Sequence, residues 1–330
     1  MGFKKKWARE TSDHILSLAW SENALIVTPS TGTFLLVDQD GETTAEFAAH
    51  GLGNGAADAR AGLLATCGFD GQVRTYAIDD SKFVSARAIT LGKGWIDRVR
   101  WSPNGEHLAS ALGKTLFVFN GSGEVVGTYS NHKTSVTDFA WNPQDPLEIA
   151  SVCGGGAQMW RVGETEPFAR FDWGGASLLA LWSPDGRWLA TGDQTPSVHL
   201  YDFTRDYPLH IQGFETKVRA IDFSPDGKRL ATGGGTTVTI WNCAGKTGPE
   251  STIPDQLTFH KGDVEAIAWS PTGTLLATAD RAGRLVLSNA QGRPVAAFED
   301  AEGISALAWS PDGKCLAVGD AGGRVVLFSD

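Results

Sequence analysis

The chain has 330 residues, 42% of them hydrophobic, which is ample for a large core. With 38 acidic and 28 basic residues the net charge is −10, and Lys4, Lys5 and Lys6 form its main basic run. Nucleic acids and anionic membranes are therefore not expected as partners, because both require neutralising cations.

No apolar stretch follows those lysines and no run reaches the length of a bilayer, so neither a signal peptide nor a membrane span is expected. The 4 cysteines, Cys67, Cys153, Cys243 and Cys315, are widely spaced. They form neither a disulfide framework nor a CxxC zinc pattern, which fits a reducing cytoplasm. No cofactor is expected.

In chain order, Lys4–Arg9 around Trp7 has strand character but no hairpin partner beside it. One pattern then recurs to the end of the chain. An apolar strand ends in an aromatic residue, a tight turn follows, a second strand reads LAT or LAS, a third is apolar, and a fourth is poorly patterned. The aromatic falls at Trp20, Trp101, Trp141, Trp182, Phe223, Trp269 and Trp309, with Ala57 in the slot of a degenerate second copy. The turns read Pro103-Asn104-Gly105, Pro184-Asp185-Gly186, Pro225-Asp226-Gly227 and Pro311-Asp312-Gly313. Asn-Gly and Asp-Gly suit tight hairpins because the turn needs a positive φ. A period of roughly 40–45 residues with several short strands per unit signals a β-propeller.

The residues before Trp20 and after Trp309 together make one more period. We therefore expect a single all-β domain over 1–330: an eight-bladed β-propeller of four-stranded blades. The N-terminal strand would complete the last blade, which stops at its third strand near Phe328. A seven-bladed ring is the alternative, because Gly53–Ala59 is poor in apolar residues.

The SPDG turns and LATG strands resemble the WD-repeat family over the whole chain. The usual Gly-His pair survives as a lone His50, His132 or His260, and the Trp-Asp pair as Trp160-Arg161, Trp241-Asn242, Tyr201-Asp202 and Val37-Asp38. The resemblance implies a buried hydrogen-bond set of histidine, second-strand Ser or Thr, turn Asp and Trp. The fourth copy keeps His132, Ser151 and Trp160 of this set. The stretches GKGWIDRVRWSP from Gly92, KVRAIDFSPDGKRLATGG from Lys217 and CAGKTGP from Cys243 resemble a bacterial WD-repeat group. Its members are often encoded beside CobW-type metal-chaperone GTPases. That likeness implies a link to zinc homeostasis and a CobW-type GTPase as partner.

Residues just before each first strand share one ring face, the rim. His14, Trp95, Ser135, Lys217 and Asp263 lie six residues before their aromatics; Asp97, Arg219 and Glu265 lie four before. Trp95 is a natural anchor for a protein or peptide partner, since interface hot spots favour Trp, Tyr and Arg. The bland reading packs Trp95 onto its own loop. Trp173 stands in the histidine slot and should be structural. Asp193, Asp280 and Asp320 recur at one position and should bond their own turns. Cys67 and Cys153 end second strands, with His50 and His132 in the loops before them. These four are weak candidates for zinc, which takes Cys and His in a tetrahedron. Ala244–Pro254 is the longest interruption; its Gly245-Lys246-Thr247 lacks the upstream glycine of a phosphate loop, since Ile240 stands there. It should form an accessible loop on the opposite face. No nucleophile triad or metalloprotease motif is present, so the chain is not expected to be an enzyme.

Overall fold

The computed structural model describes all residues except 1, 12, 23, 32, 61, 80, 81, 204–207, 251 and 300. Its regular structure is strand, arranged in successive hairpins. The turn chemistry explains the hairpins. In each Ser-Pro-Asp-Gly turn the glycine N–H donates to the serine carbonyl at 2.8–2.9 Å (Gly186 to Ser183, Gly227 to Ser224, Gly313 to Ser310). The serine hydroxyl donates to the aspartate at 2.6 Å and accepts from the first residue of the next strand at 2.8–3.0 Å. Gly186, Gly227 and Gly313 have φ of 70°, 69° and 71°. These values favour glycine because a Cβ is strained there.

The described strands form seven hydrogen-bonded sheets, six of four strands and one of six. The expectation of eight separate blades is thus corrected to seven sheets, the number held as the alternative. The cause is not the weak second copy, which builds a complete sheet from Asn54–Arg60, Leu63–Gly68, Gln72–Asp79 and Lys82–Thr90. Instead the fourth and fifth repeats merge. Ala169–Trp182 runs unbroken: its first half pairs with Asp145–Arg161 and its second with Trp188–Asp193. Elsewhere turn or coil residues separate an outer strand from the next inner one, whereas Gly174-Gly175 carries the chain straight across. The strand pairing also moves the degenerate slot. Ala59 faces Leu64 as Trp20 faces Leu25, so Ala59 rather than Ala57 occupies it.

Lys4–Glu10 pairs antiparallel with Arg324–Ser329 and supplies the outer strand of the last sheet. Trp7 locks it, donating its indole N–H to the Gln39 carbonyl at 3.0 Å.

The core sits between successive repeats. Each apolar cluster spans one seam: Leu285, Leu287, Leu316 and Phe328 between the seventh and eighth repeats, Ile15, Leu25 and Leu327 between the eighth and first. At four seams the ruler tryptophan donates its indole N–H to a first-strand carbonyl of the repeat before. Trp20 reaches Ala308, Trp141 reaches Arg100, Trp182 reaches Ala140 and Trp309 reaches Ala268, all at 3.0–3.1 Å. Trp101 and Trp269 follow the two repeats whose ruler is not tryptophan, Ala59 and Phe223. Their backbone N–H groups donate to the carboxylates of Asp58 and Asp222, each at 2.7 Å. Their indole N–H groups find no acceptor among the described residues.

The implied buried polar set is present in fragments. His132 Nε2 and Trp160 Nε1 both meet Ser151 Oγ at 2.8 Å, and the Lys114 carbonyl takes the missing aspartate's place on His132 Nδ1 at 2.8 Å. His50 bonds Asp70 and Thr66; His260 bonds Asp280 and Thr278. In the fifth repeat the set is rearranged: Asp193 holds His199 at 2.7 Å, and Trp173 lies 4.7 Å from that imidazole.

Candidate functional site

The rim loop after Lys82–Thr90 carries the candidate site. Gly92 and Gly94 adopt φ of 152° and 149°, and a Cβ on Gly94 would stand 2.8 Å from Leu112. Ile96 is fully buried and its N–H donates to the Gly68 carbonyl at 3.2 Å. Beneath it Gly55 is obligatory, since a Cβ there would lie 2.1 Å from the Ile96 carbonyl oxygen. With Ile96 pinned inward, its neighbour Trp95 is directed outward and is 73% exposed. It does not pack down on its own loop. One neighbouring ring supports it: Phe69, centroid 5.3 Å away at an interplanar angle of 36°.

Beside Trp95 opens a pocket of about 550 Å³ between the third and fourth repeats. Ala111, Leu112 and Val136 form apolar wall; Lys93, Asp97, Arg98, Ser135 and Thr137 are the polar lining; Asp138 and Phe139 make the floor. Asp138 is buried. Arg100 pairs with it at 2.9 Å, Arg98 stands 3.7 Å away, and the Ala180 N–H donates to it at 3.0 Å. Buried carboxylates need such partners, and here the floor is held as a fixed element of the ring.

Of the eight expected rim residues, the structure brings Trp95, Asp97 and Ser135 to this pocket. Arg219 and Glu265 instead line a separate cavity of about 330 Å³ at the central channel, and Glu265 is committed to Arg281. Lys217, Asp263 and His14 line neither cavity. The Asp263 carbonyl accepts from the Arg281 N–H, and the His14 carbonyl accepts from the Ser30 N–H. Sequence reasoning missed Lys93, Arg98, Leu112 and Val136. The paired glycines around Lys93 were the available sign that this loop projects a side chain.

The zinc candidates are engaged elsewhere. Both nitrogens of His50 are hydrogen-bonded within its own repeat, and those of His132 to Ser151 of its own repeat and to the Lys114 carbonyl of the repeat before. Burial holds both imidazoles below the usual histidine range. Cys67 lies in the apolar cluster with Val73, Ile96 and Val99, and burial pushes its thiol up to about 12. Cys153 is buried and its thiol faces the Gly154 carbonyl. Among the described residues no group of three potential metal ligands occurs. Asp280 and Asp320 cap the loops around them, accepting from the Arg284 and Arg324 N–H groups, each at 2.9 Å.

On the opposite face, Arg187 pins Ala244–Pro254 by donating to the Gly245 and Lys246 carbonyls and stacks over Trp188 at 4.5 Å. Ile253 at its end is 95% exposed; Ser251 lies outside the described residues.

A ring of hairpin sheets closed by its own N-terminal strand defines the β-propeller class. Residues 123–161, 175–202 and 206–242 match the family described as WD domain, G-beta repeat, and residues 267–330 match the Anaphase-promoting complex subunit 4 WD40 domain. Fold and matches together make this chain a WD-repeat β-propeller. It is 34% identical over 107 residues to Periodic tryptophan protein 2 of Arabidopsis thaliana, covering 31% of this chain and 12% of that protein. The Periodic tryptophan protein 2 homolog of Schizosaccharomyces pombe is 35% identical over 98 residues, 28% of this chain and 11% of that one. The matched part thus spans about a tenth of those relatives. The crystal structure of the computationally designed Ika8 protein superposes with a TM-score of 0.84 at 16% identity, over 97% of this chain and 98% of that chain. That likeness concerns the fold alone. No helix among the described residues is long and apolar enough to cross a membrane.

Proposed function

We propose that this propeller is a non-catalytic interaction scaffold that receives a peptide or protein loop in the pocket beside Trp95. One observation carries the reading: a tryptophan 73% exposed, backed by Phe69, at the mouth of a cavity of about 550 Å³. An exposed indole is an apolar group in water, and covering it gains free energy by area. The backing ring restricts its rotamers, which lowers the entropy lost on binding. Asp97 and Ser135 would set register at the rim. The setting we assign is the cytoplasm, where the four cysteines would stay free as they are here.

The test is co-purification of partners with tagged protein, comparing wild type, Trp95→Ala and Ile253→Ala. The reading expects a partner that Trp95→Ala loses and Ile253→Ala keeps. A partner retained by Trp95→Ala, or lost only on Ile253→Ala, moves the site to the opposite face.

The alternative, an accessory protein in zinc homeostasis linked to a CobW-type GTPase, rests on sequence resemblance. It requires stoichiometric zinc that disappears in Cys67→Ser. Protein that purifies without zinc, and whose melting is indifferent to added zinc, rules that version out.

A further inference from the structure

We infer that the segment received beside Trp95 is acidic, carrying an apolar side chain flanked by carboxylates; this rests on the reading of the Trp95 pocket as the binding site. The charge is distributed unevenly around the rim. The chain as a whole carries −10, yet Lys93 and Arg98 line this pocket, and Lys114 and Lys133 stand on the loops beside it.

The partners of these cations decide the sign. Arg100 satisfies the floor carboxylate of Asp138 at 2.9 Å, leaving Arg98 at 3.7 Å and about half exposed. Arg98 otherwise donates to the Asp97 carbonyl, a neutral acceptor. Lys114 donates to the Lys133 carbonyl, also neutral, while Lys133 pairs with Asp172 at 2.8 Å. Lys93 has no carboxylate at salt-bridge distance among the described residues. Asp97 is the exposed carboxylate of the pocket. Across the ring the rim carries charges of both signs. The rim loops of the seventh, eighth and first repeats carry Asp13, Asp263, Glu265 and Glu302, with Arg281 paired to Glu265 and Lys261 to Glu299.

A ligand seated at Trp95 therefore meets Lys93 and Arg98 beside the indole. A basic segment would be repelled by them. An acidic one is drawn to the near rim, where its carboxylates meet Lys93 and Arg98. The apolar walls supply the second half of the specificity. Leu112 and Val136 line the pocket half-buried, as apolar wall that an apolar side chain of the ligand would cover.

The probe is a display library of random peptides selected on the immobilised full chain, followed by binding titrations of the enriched peptides. The inference expects an apolar residue between Asp or Glu residues. Affinity should fall about tenfold or more in Lys93→Glu/Arg98→Glu and decline with added salt. Both side chains are exposed, and thermal melts of the variant confirm that folding is intact. Peptides that depend on Trp95 but are neutral or basic, or that bind the charge-reversed variant equally, overturn the acidic class and keep the site. Peptides that bind Trp95→Ala as well as wild type overturn the site itself. A library yielding no enriched sequence overturns both.

Discussion

Six seams of the ring are closed in two chemically distinct ways. Between the third and fourth repeats, Trp141 packs against its neighbour and donates its indole N–H to the Arg100 carbonyl. Between the sixth and seventh, the Trp269 indole has no acceptor among the described residues, and the Asp222 carboxylate takes the Trp269 backbone N–H instead. The indole bond of the first closure is neutral and indifferent to pH, although this seam also holds buried Asp138, paired with Arg100. The second buries an ionisable group, and burial pushes Asp222 up to about 7. Asp58 repeats the second arrangement, and its carboxyl is also raised by burial, against the opposing pull of Arg100 and Arg60. The carboxylate appears where the preceding repeat has lost its tryptophan. One repeat pattern thus tolerates the loss of its signature aromatic by closing the seam with a different hydrogen bond.

The largest way to break the comparison is to remove a seam's covalent support altogether. Deleting the strand Lys4–Glu10 strips the outer edge of the last sheet and removes Trp7, leaving the Gln39 carbonyl without its indole donor. The expected loss exceeds the about 4–5 kcal/mol of severe point variants, read as loss of the cooperative denaturation transition. A truncated chain that melts like wild type would mean that the terminal strand merely decorates the ring. Next in size, Trp141→Ala removes an indole buried against Ile149 and Trp160 and opens a cavity. About 3–5 kcal/mol should be lost in chemical denaturation.

Much of this architecture was legible in the sequence, for a physical reason. Period, turn residues and apolar strands are local signals, and SPDG needs only its own atoms to make a hairpin. The closing strand was legible because the last copy visibly lacked its partner. The merger of the fourth and fifth repeats was not, because it depends on Gly174-Gly175 staying extended between two ladders. The displacement of the degenerate slot from Ala57 to Ala59 was hidden for a similar reason: alanine carries no side-chain signature of register. At the site, Trp95, Asp97 and Ser135 could be placed by counting from the aromatic ruler. Arg219 and Glu265 obeyed the same count yet turned to the channel, because position along a strand does not fix which blade gap is open.

A smaller effect, of about 1–3 kcal/mol, is expected from Asp222→Asn, which keeps an oxygen for the Trp269 N–H and removes the charge. The sign follows from linkage. The folded-state value, about 7, lies above the unfolded value of 3.8. The carboxyl therefore contributes most to stability below pH 3.8, loses that contribution as pH rises to about 7, and stays unfavourable above. Relative to wild type, the asparagine variant should gain steadily across that window, read by denaturation at several pH values. Parallel pH curves for the two proteins would mean that Asp222 is solvated and that this seam is not sealed.

The smallest effect separates the two closures most sharply. Trp141→Phe and Trp101→Phe delete similar apolar surface at corresponding positions in neighbouring repeats. Only the first also deletes a hydrogen bond, and it leaves the buried Arg100 carbonyl without its indole donor. The second deletes an N–H that had no acceptor among the described residues, so its polar cost is nil or negative. The difference between the two variants should then be about 1 kcal/mol, the usual net worth of one hydrogen bond, with Trp141→Phe the less stable. Both measurements share one ring, so errors in the unfolded reference largely cancel. Equal losses would show that the indole bonds add nothing beyond packing, and the distinction between neutral and carboxylate seams would reduce to the titration of Asp58 and Asp222.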